Sequence, residues 1–273
     1  MYAGVNHSAK DLEELWKNLK LTEEEEEVVE IEGCGNEDIR RKDELSLIGR
    51  VCSDRVIGKD LISNTMARIW RIGKKASFQE VGKNTYVITF GTHADLQRVL
   101  EGKPWFFDNA MFLLMLYDGK MKPGKIAFDS EVFWMQIHNL PLSCMSEEWG
   151  NRIGKTVGKV VDVDTQEDGT GWGRWLRVKV EIKLRKQIAR GRFISVQNAK
   201  HWVLFRYESL PKICFQCSWL LHDDQGCQAS KENQREEDPD GKPQFSPWLR
   251  AEMAPRRWSG QARYPSDMGA REK

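Results

Sequence analysis

Apolar and polar positions change their spacing along this chain in a readable order. Residues 9–20 set Leu12, Leu15, Trp16 and Leu19 at three- and four-residue intervals, which predicts an amphipathic helix. An unbroken acidic run, Glu23 to Glu27, follows, with Glu30 and Glu32 close behind. Such a run reads as solvated linker; the alternative is that it competes with nucleic acid for a basic segment further on. From residue 44 the pattern becomes regular. Leu45 to Cys52 alternates as a strand. Residues 59–71 bring Leu61, Ile62, Met66, Ile69 and Trp70 onto adjoining helical rows. Two short strands, 76–81 and 85–90, flank the turn residues Gly82, Lys83 and Asn84. Thr92 to Asp95 opens a second helix with Leu96, Val99 and Leu100 on its apolar face, stopped by Gly102 before Pro104. Trp105 to Tyr117 returns as strand.

Residues 1–43 are therefore expected to be helix and linker, and 44–118 a β-α-β-β-α-β module. That order is the ferredoxin-like arrangement shared by many RNA-recognition modules. The order alone does not assign RNA binding. RNA-recognition modules stack bases on aromatics of the third strand. Here Thr85 and Val87 occupy the two stacking positions of Lys83–Phe90, while Ile88 and Phe90 keep the core positions. The pattern keeps the fold and lacks the stacking residues, so this sheet surface is not expected to read bases.

Asp118 to Glu131 reads as a linker, and residues 131–212 as a second, smaller α/β segment. Val132 to His138 is a strand. Residues 146–157 form a helix with Trp149, Ile153 and Val157 on one row and Gly150, Gly154 and Gly158 on the next. Each helical glycine costs ~1 kcal/mol relative to alanine, so that face is expected to pack closely on a sheet, the alternative being a shorter helix. Lys159 to Asp164 is a strand. The Gly169–Gly173 loop lacks a GK[ST] ending and reads as a turn, not a phosphate cradle. In residues 174–185, Leu176, Val178, Val180, Ile182 and Leu184 alternate with Arg177, Lys179, Glu181, Lys183 and Arg185. Period two puts the apolar set on the core and the basic set opposite. With Lys186, Arg190 and Arg192, the stretch Arg174–Arg192 holds eight Lys or Arg against one acid. This is the expected footprint for a phosphate backbone, with a merely solvated strand as the alternative. Residues 193–197 and 201–207 form a hairpin, and His201 at its second strand reads as a surface residue.

Composition alters this picture in two places. The formal net charge of +1 averages over acidic and basic stretches that lie apart, so it says little about partners. Six cysteines include three in one short segment, Cys214-Phe-Gln-Cys217-Ser-Trp-Leu-Leu-His222-Asp-Asp-Gln-Gly-Cys227. C-x2-C-x4-H-x4-C supplies three thiolates and an imidazole, a complete tetrahedral set for Zn²⁺. So short a segment has no core of its own and takes its folding energy from the metal. A redox or disulfide role is the competing reading. Cys34, Cys52 and Cys144 are scattered and read as buried free thiols. That usage points to a reducing compartment, nucleus or cytoplasm. The longest apolar run, Ala110 to Tyr117, is far short of the roughly 20 residues a membrane helix needs, so no membrane partner is expected. Residues 229–273 lack apolar periodicity and are expected to be disordered, although Trp248 and Trp258 lie among arginines.

Several stretches together resemble a plant family of uncharacterised domains paired with a C-terminal zinc knuckle, found in LINE-type retrotransposons and their relics. They are Leu47-Ile-Gly-Arg, Val99 to Asp108, Phe133 to Pro141, Arg177-Val-Lys-Val, and Tyr207-Glu-Ser-Leu-Pro before Cys214. The resemblance covers roughly residues 40–228. It implies a nucleic-acid-binding, gag-like protein with Cys214, Cys217, His222 and Cys227, in a knuckle over 213–228, as zinc ligands. Such knuckles carry glycine after the second cysteine and before the histidine; here Ser218 and Leu221 stand there. A left-handed backbone at Leu221 would strain the turn. Phe215 and Trp219 are the aromatics available to stack on unpaired bases. No nucleophile elbow, P-loop, H-E-x-x-H or paired acidic motif is present, so catalysis is not expected. The sequence leaves a protein-interaction or assembly module with a structural zinc as the rival to binding of single-stranded nucleic acid, RNA or DNA with RNA in front, and leaves self-association open.

Overall fold

The computed structural model describes residues 20, 22–28, 44–214, 217–222, 226–227, 245 and 247–252. The helix expected over 9–20, except Lys20, lies outside them, as do Cys34, Phe215, Trp258 and most of 229–273. Met1–Arg41 and Lys42–Lys273 are separate compact units. In the first, residues 22–28 form an exposed turn in which the Thr22 amide donates to Glu25 Oε2 at 2.9 Å.

The second unit is α+β, with two antiparallel five-stranded sheets. The first runs β1 (Ser46–Val51), α1 (Lys59–Trp70), β2 (Ser77–Gly82), β3 (Thr85–Thr89), α2 (His93–Glu101), β4 (Trp105–Phe107) and β5 (Ala110–Leu116). Its strand order is β2-β3-β1-β5-β4. That is the expected β-α-β-β-α-β sheet with one strand added. The single strand expected over 105–117 is two strands, because Asp108 and Asn109 both adopt positive φ, 47° and 63°. Two consecutive left-handed residues close a two-residue hairpin, and Asp and Asn tolerate that backbone better than most. On one face Leu47, Tyr86, Ile88, Phe112 and Leu114 pack with Ile62, Met66 and Trp70 of α1 and Leu96 and Val99 of α2. The Trp70 ring stacks against Phe78 and Phe112 at 5.9 and 6.0 Å.

The second sheet runs β6 (Ser130–His138), α3 (Glu147–Gly154), β7 (Lys159–Asp164), β8 (Leu176–Lys183), β9 (Gly191–Val196) and β10 (Ala199–Tyr207). Its order, β7-β8-β6-β10-β9, repeats the first sheet position by position. The segment expected to be smaller therefore carries a full sheet. What it lacks is the second helix. Ser146 caps α3, its hydroxyl accepting from the Trp149 amide at 3.4 Å. The helix ends at Gly154, three residues before the expected Val157. The glycine row packs as its spacing predicts. A Cβ on Gly150 would lie 2.6 Å from Val163 Cγ1, and one on Gly154 2.7 Å from Val160 Cγ2. On β8 the apolar set Leu176, Val178, Val180 and Ile182 is buried, and the basic set points the other way.

Two expected irregular segments turn out to be packed. Ile126 and Phe128, inside the expected linker, join a core that also takes Ile48, Met111 and Leu113 from the outer face of the first sheet. On that face Thr85 is buried and Val87 half-buried, so it is not an open surface. Phe245 and Leu249, inside the expected disordered tail, are 3% and 0% exposed in the core of the second sheet. The Ala251 amide donates to the Tyr207 carbonyl at 2.9 Å. Each segment has too few apolar residues for a periodic pattern, and each is held by a surface formed far away in sequence. Among the described residues, no helix is long and apolar enough to cross a membrane.

Candidate metal centre and nucleic-acid interface

The local backbone brings the four ligand side chains together. The Ser218 amide donates to the Cys214 carbonyl at 2.7 Å and the Cys214 amide to the Trp219 carbonyl at 3.0 Å. This turn sets Cys214 and Cys217 side by side. The ligand atoms of Cys214, Cys217, His222 and Cys227 all lie within 4.8 Å of one another. Cys214 Sγ is 3.7 Å from Cys227 Sγ, and Cys217 Sγ is 3.0 Å from His222 Nε2. A tetrahedron with Zn–S of roughly 2.3 Å has S···S edges of roughly 3.8 Å, so the donor set fits zinc. The sulfurs are not in a disulfide. Burial pushes the Cys217 thiol up to about 12, and the neighbouring Cys214 and Cys227 sulfurs add to the rise. A bound dication reverses that balance, since a coordinating thiol is deprotonated outright.

The strain expected at Leu221 lies elsewhere. Ser218 takes φ +63° and Gly226 +73°, while Leu221 is not among the left-handed residues. Ser218 is fully buried, so the residue that replaces glycine also fills space.

The knuckle is not a separate bead on the chain. The Leu220 and Leu221 amides donate to the Leu184 carbonyl at 3.0 and 3.1 Å, and the Ile188 amide donates to Ser218 at 3.2 Å. Leu220 is buried in the same core as Leu184 and Ile188. The loop 184–190, which carries Arg185, Lys186 and Arg190, is thereby stitched to the metal-binding turn.

The basic strand differs more from expectation. Arg177 makes a two-pronged bond to Glu208, Nε to Oε1 and Nη2 to Oε2 both at 2.8 Å, and reaches Asp164 at 3.3 Å. Its guanidinium sits over the Trp134 ring at 3.9 Å. Burial opposes the Arg177 charge, but the Glu208 and Asp164 carboxylates outweigh it and raise its pKa. Lys179 donates to the Glu101 carbonyl at 3.1 Å, and burial pulls its ammonium below the ordinary range. Lys183 pairs with Asp129 at 3.0 Å. Arg192 bonds the carbonyls of Gly191 and Thr156, and Arg190 lies over Phe245 at 4.9 Å. The strand face is thus an internally paired network instead of a bare positive stripe. Arg185 and Lys186 are exposed on the loop. The carboxylates that pair the strand come from Asp129, Asp164 and Glu208, outside the stretch whose charge was striking in sequence. Only strand register reveals them.

Trp219 is half-buried, with its ring parallel to His222 at 6.3 Å and 22°. Phe215 lies outside the described residues. His201 is exposed, as expected. Cys144 is buried and Cys52 half-buried; both are free, and burial pushes the Cys52 thiol up to about 11.

Residues 41–125 match a family described as Domain of unknown function (DUF4283), and residues 183–229 one described as Zinc knuckle. The knuckle match starts at Lys183, so it takes in the loop and hairpin that the knuckle is bonded to. "Uncharacterized protein At4g02000" of Arabidopsis thaliana is 24% identical over 134 residues, 49% of this chain and 42% of that protein. The chain thus matches less than half of that relative's length. The crystal structure of the N-terminal three RNA binding domains of the yeast splicing factor Prp24 is similar at a TM-score of 0.23 and 10% identity, covering 59% of this chain and 65% of that one. So low a score carries no weight, and the fold assignment rests on strand order. By residues matched and by geometry, the chain carries a DUF4283 domain followed by a CCHC-type zinc knuckle.

Proposed function

We propose that this chain is a non-catalytic, zinc-dependent binder of single-stranded nucleic acid, RNA in the first place, of retrotransposon gag-like origin. The observation that carries the reading is the four-ligand cluster with all donor atoms within 4.8 Å, bonded directly to a basic loop. Four protein ligands fill a tetrahedral site and leave no open position for a reacting group. Arg185, Lys186, Arg190 and Arg192 supply phosphate contacts beside the knuckle. Arg177, Lys179 and Lys183 belong to the same basic stretch, each held by an internal partner, as Arg192 is by the Gly191 and Thr156 carbonyls. Trp219 and Phe215 stack on exposed bases. The residue resemblance supports the gag-like origin.

The test is binding of the zinc-loaded full chain to an unstructured RNA of about 12 nucleotides across a salt series. Affinity should fall with salt, with a log–log slope of about −0.7 per phosphate contact. It should weaken on Arg185→Gln with Lys186→Gln and be lost on chelation. Absence of binding at low salt with zinc present sinks the reading. The second reading, an assembly module with structural zinc, is favoured by the knuckle's backbone bonds to Leu184 and by the paired strand. It predicts that chelation alters folding while no RNA binds at any salt.

A further inference from the structure

The outer face of the second sheet, opposite α3, carries an aromatic stripe that the metal centre does not use. At one edge Phe193 and Trp202 form a cross-strand pair with ring centroids 4.9 Å apart at 65°. They are 70% and 42% exposed. Gly191 makes room for the Trp202 indole: a Cβ there would meet its Cζ2 at 2.5 Å. The tryptophan thus lies flat on backbone. Leu204, opposite both Gly191 and His138, continues the row. His138 then faces Trp175 at 5.3 Å, and Arg174 covers that ring at 5.2 Å.

The charge around this stripe is positive. Burial holds His138 below its ordinary pKa, and the nearby Arg206 and Arg174 guanidiniums lower it further. Arg206 Nε is buried with no hydrogen-bond partner among the described residues. Lys200, across from Ser195, is exposed. The carboxylates of this face are themselves engaged: Glu208, two residues from Arg206, and Asp164 pair with Arg177, and Glu181 takes the Ser130 hydroxyl. The matching face of the first sheet is closed by Ile126 and Phe128 packing with Ile48 and Leu113. Among the described residues, the outer face of the second sheet leaves Phe193 and Trp202 exposed on the same side as Arg206 and Lys200.

We propose that this stripe is a base-stacking platform for single-stranded nucleic acid, with bases on Phe193 and Trp202 and phosphates on Arg174, Arg206 and Lys200. This rests on the nucleic-acid reading above and adds a site distinct from the knuckle. Exposed rings accept any base, and the charge on the same face suits a polyanion better than an apolar protein partner.

The test uses the zinc-loaded full chain, an unstructured RNA of about 12 nucleotides, and Phe193→Ser, Trp202→Ala and Arg174→Gln variants. Thermal melting confirms that each is folded, as expected for exposed positions. Each aromatic variant should bind about tenfold more weakly with the salt slope unchanged. Arg174→Gln should reduce the slope by about 0.7. If wild type binds and the aromatic variants bind equally well, the platform is wrong and the knuckle reading stands. If wild type does not bind, both fall. If the aromatic variants leave RNA affinity intact but shift a self-associated wild type to monomer in sedimentation, the face is a protein contact and the proposal is overturned.

Discussion

The two sheets share one strand order, yet they solve the same packing problem with opposite parts. In the first, α2 connects the third strand to the terminal hairpin and puts Leu96 and Val99 into the core. In the second, that connection is only the loop 184–190, which contributes Leu184 and Ile188. The missing apolar cover arrives from downstream, as Leu220 of the knuckle. A zinc knuckle bonded to this loop thus takes over part of what a helix does in the first sheet. A helix satisfies its own backbone, whereas the loop needs Ser218 and Leu220 to satisfy Ile188 and Leu184.

The strongest way to break that comparison is to remove the metal. With zinc chelated, or with Cys217→Ser, Leu220 leaves the core, costing about 2 kcal/mol of burial. Three backbone bonds, those of the Leu220, Leu221 and Ile188 amides, are lost at about 1 kcal/mol each. The total of about 5 kcal/mol should lower the midpoint of thermal unfolding by roughly 10–20 °C, at about 2–4 °C per kcal/mol for a chain of this size. Hydrogen exchange should lose protection at Leu220, Leu221 and Ile188 first, leaving β1 and β3 protected. Unchanged protection at those three amides would show that the knuckle is a bystander.

A second contrast lies where the first helix of each module meets its sheet. In the first module bulk is on the helix, as Ile62, Met66 and Trp70, and on β5, whose Phe112 and Leu114 fill the space that Gly49 of β1 leaves. A Cβ there would come 2.5 Å from Leu114 Cδ2 and 2.6 Å from Phe112 Cε2. In the second module bulk is on the strands, as Val160, Val163 and Leu176, and the helix yields at Gly150 and Gly154. Alanine at either place overpacks, typically costing about 1–3 kcal/mol. At Gly154 the helix regains ~1 kcal/mol of propensity; at Gly49 the strand regains less. Urea denaturation should therefore show Gly49→Ala as the more damaging, by about 2 kcal/mol against about 1 kcal/mol for Gly154→Ala. Equal losses would mean that the helical glycines are not held against the sheet as tightly as the geometry indicates.

Much of this was readable in the chain, for a physical reason. Alternation over Leu176–Leu184 and the α1 and α3 patterns report burial, and burial is local to each strand or helix. The C-x2-C-x4-H-x4-C spacing reports a ligand set, and four ligands in one short segment need no tertiary information. Pairing across strands is different. Whether Arg177 meets a phosphate or Glu208 depends on residues 31 positions apart being brought together, and nothing in either neighbourhood announces it. The same holds for Phe245 and Leu249, single apolar residues whose burial depends on a surface assembled elsewhere. The stripe of His138, Trp175, Trp202 and Phe193 comes from four different strands or their ends and exists only once the sheet has formed.

The smallest expected effect concerns left-handed residues. In the first sheet these are Arg71 at the end of α1 and Asn84, Asp108 and Asn109, the last three with side chains that suit the conformation. Asn84 also uses its amide fully: Oδ1 accepts from the Ile57 amide at 2.9 Å, and Nδ2 donates to the carbonyls of Ser53 and Arg55 at 2.8 and 2.7 Å. The knuckle places a serine, Ser218, in the same backbone region. A left-handed L-residue costs roughly 1–2 kcal/mol, and replacing it by glycine returns roughly 0.5–1 kcal/mol as lost chain entropy. Ser218→Gly should then tighten zinc binding by about 0.5 kcal/mol, roughly twofold, in competition with a chromogenic chelator. Leu221→Gly should do the reverse, because Leu221 has no left-handed backbone to relieve and packs against the core. If Leu221→Gly were the variant that bound zinc more tightly, the left-handed residue of this turn would be Leu221, and the contrast with Asn84 would have been drawn at the wrong position.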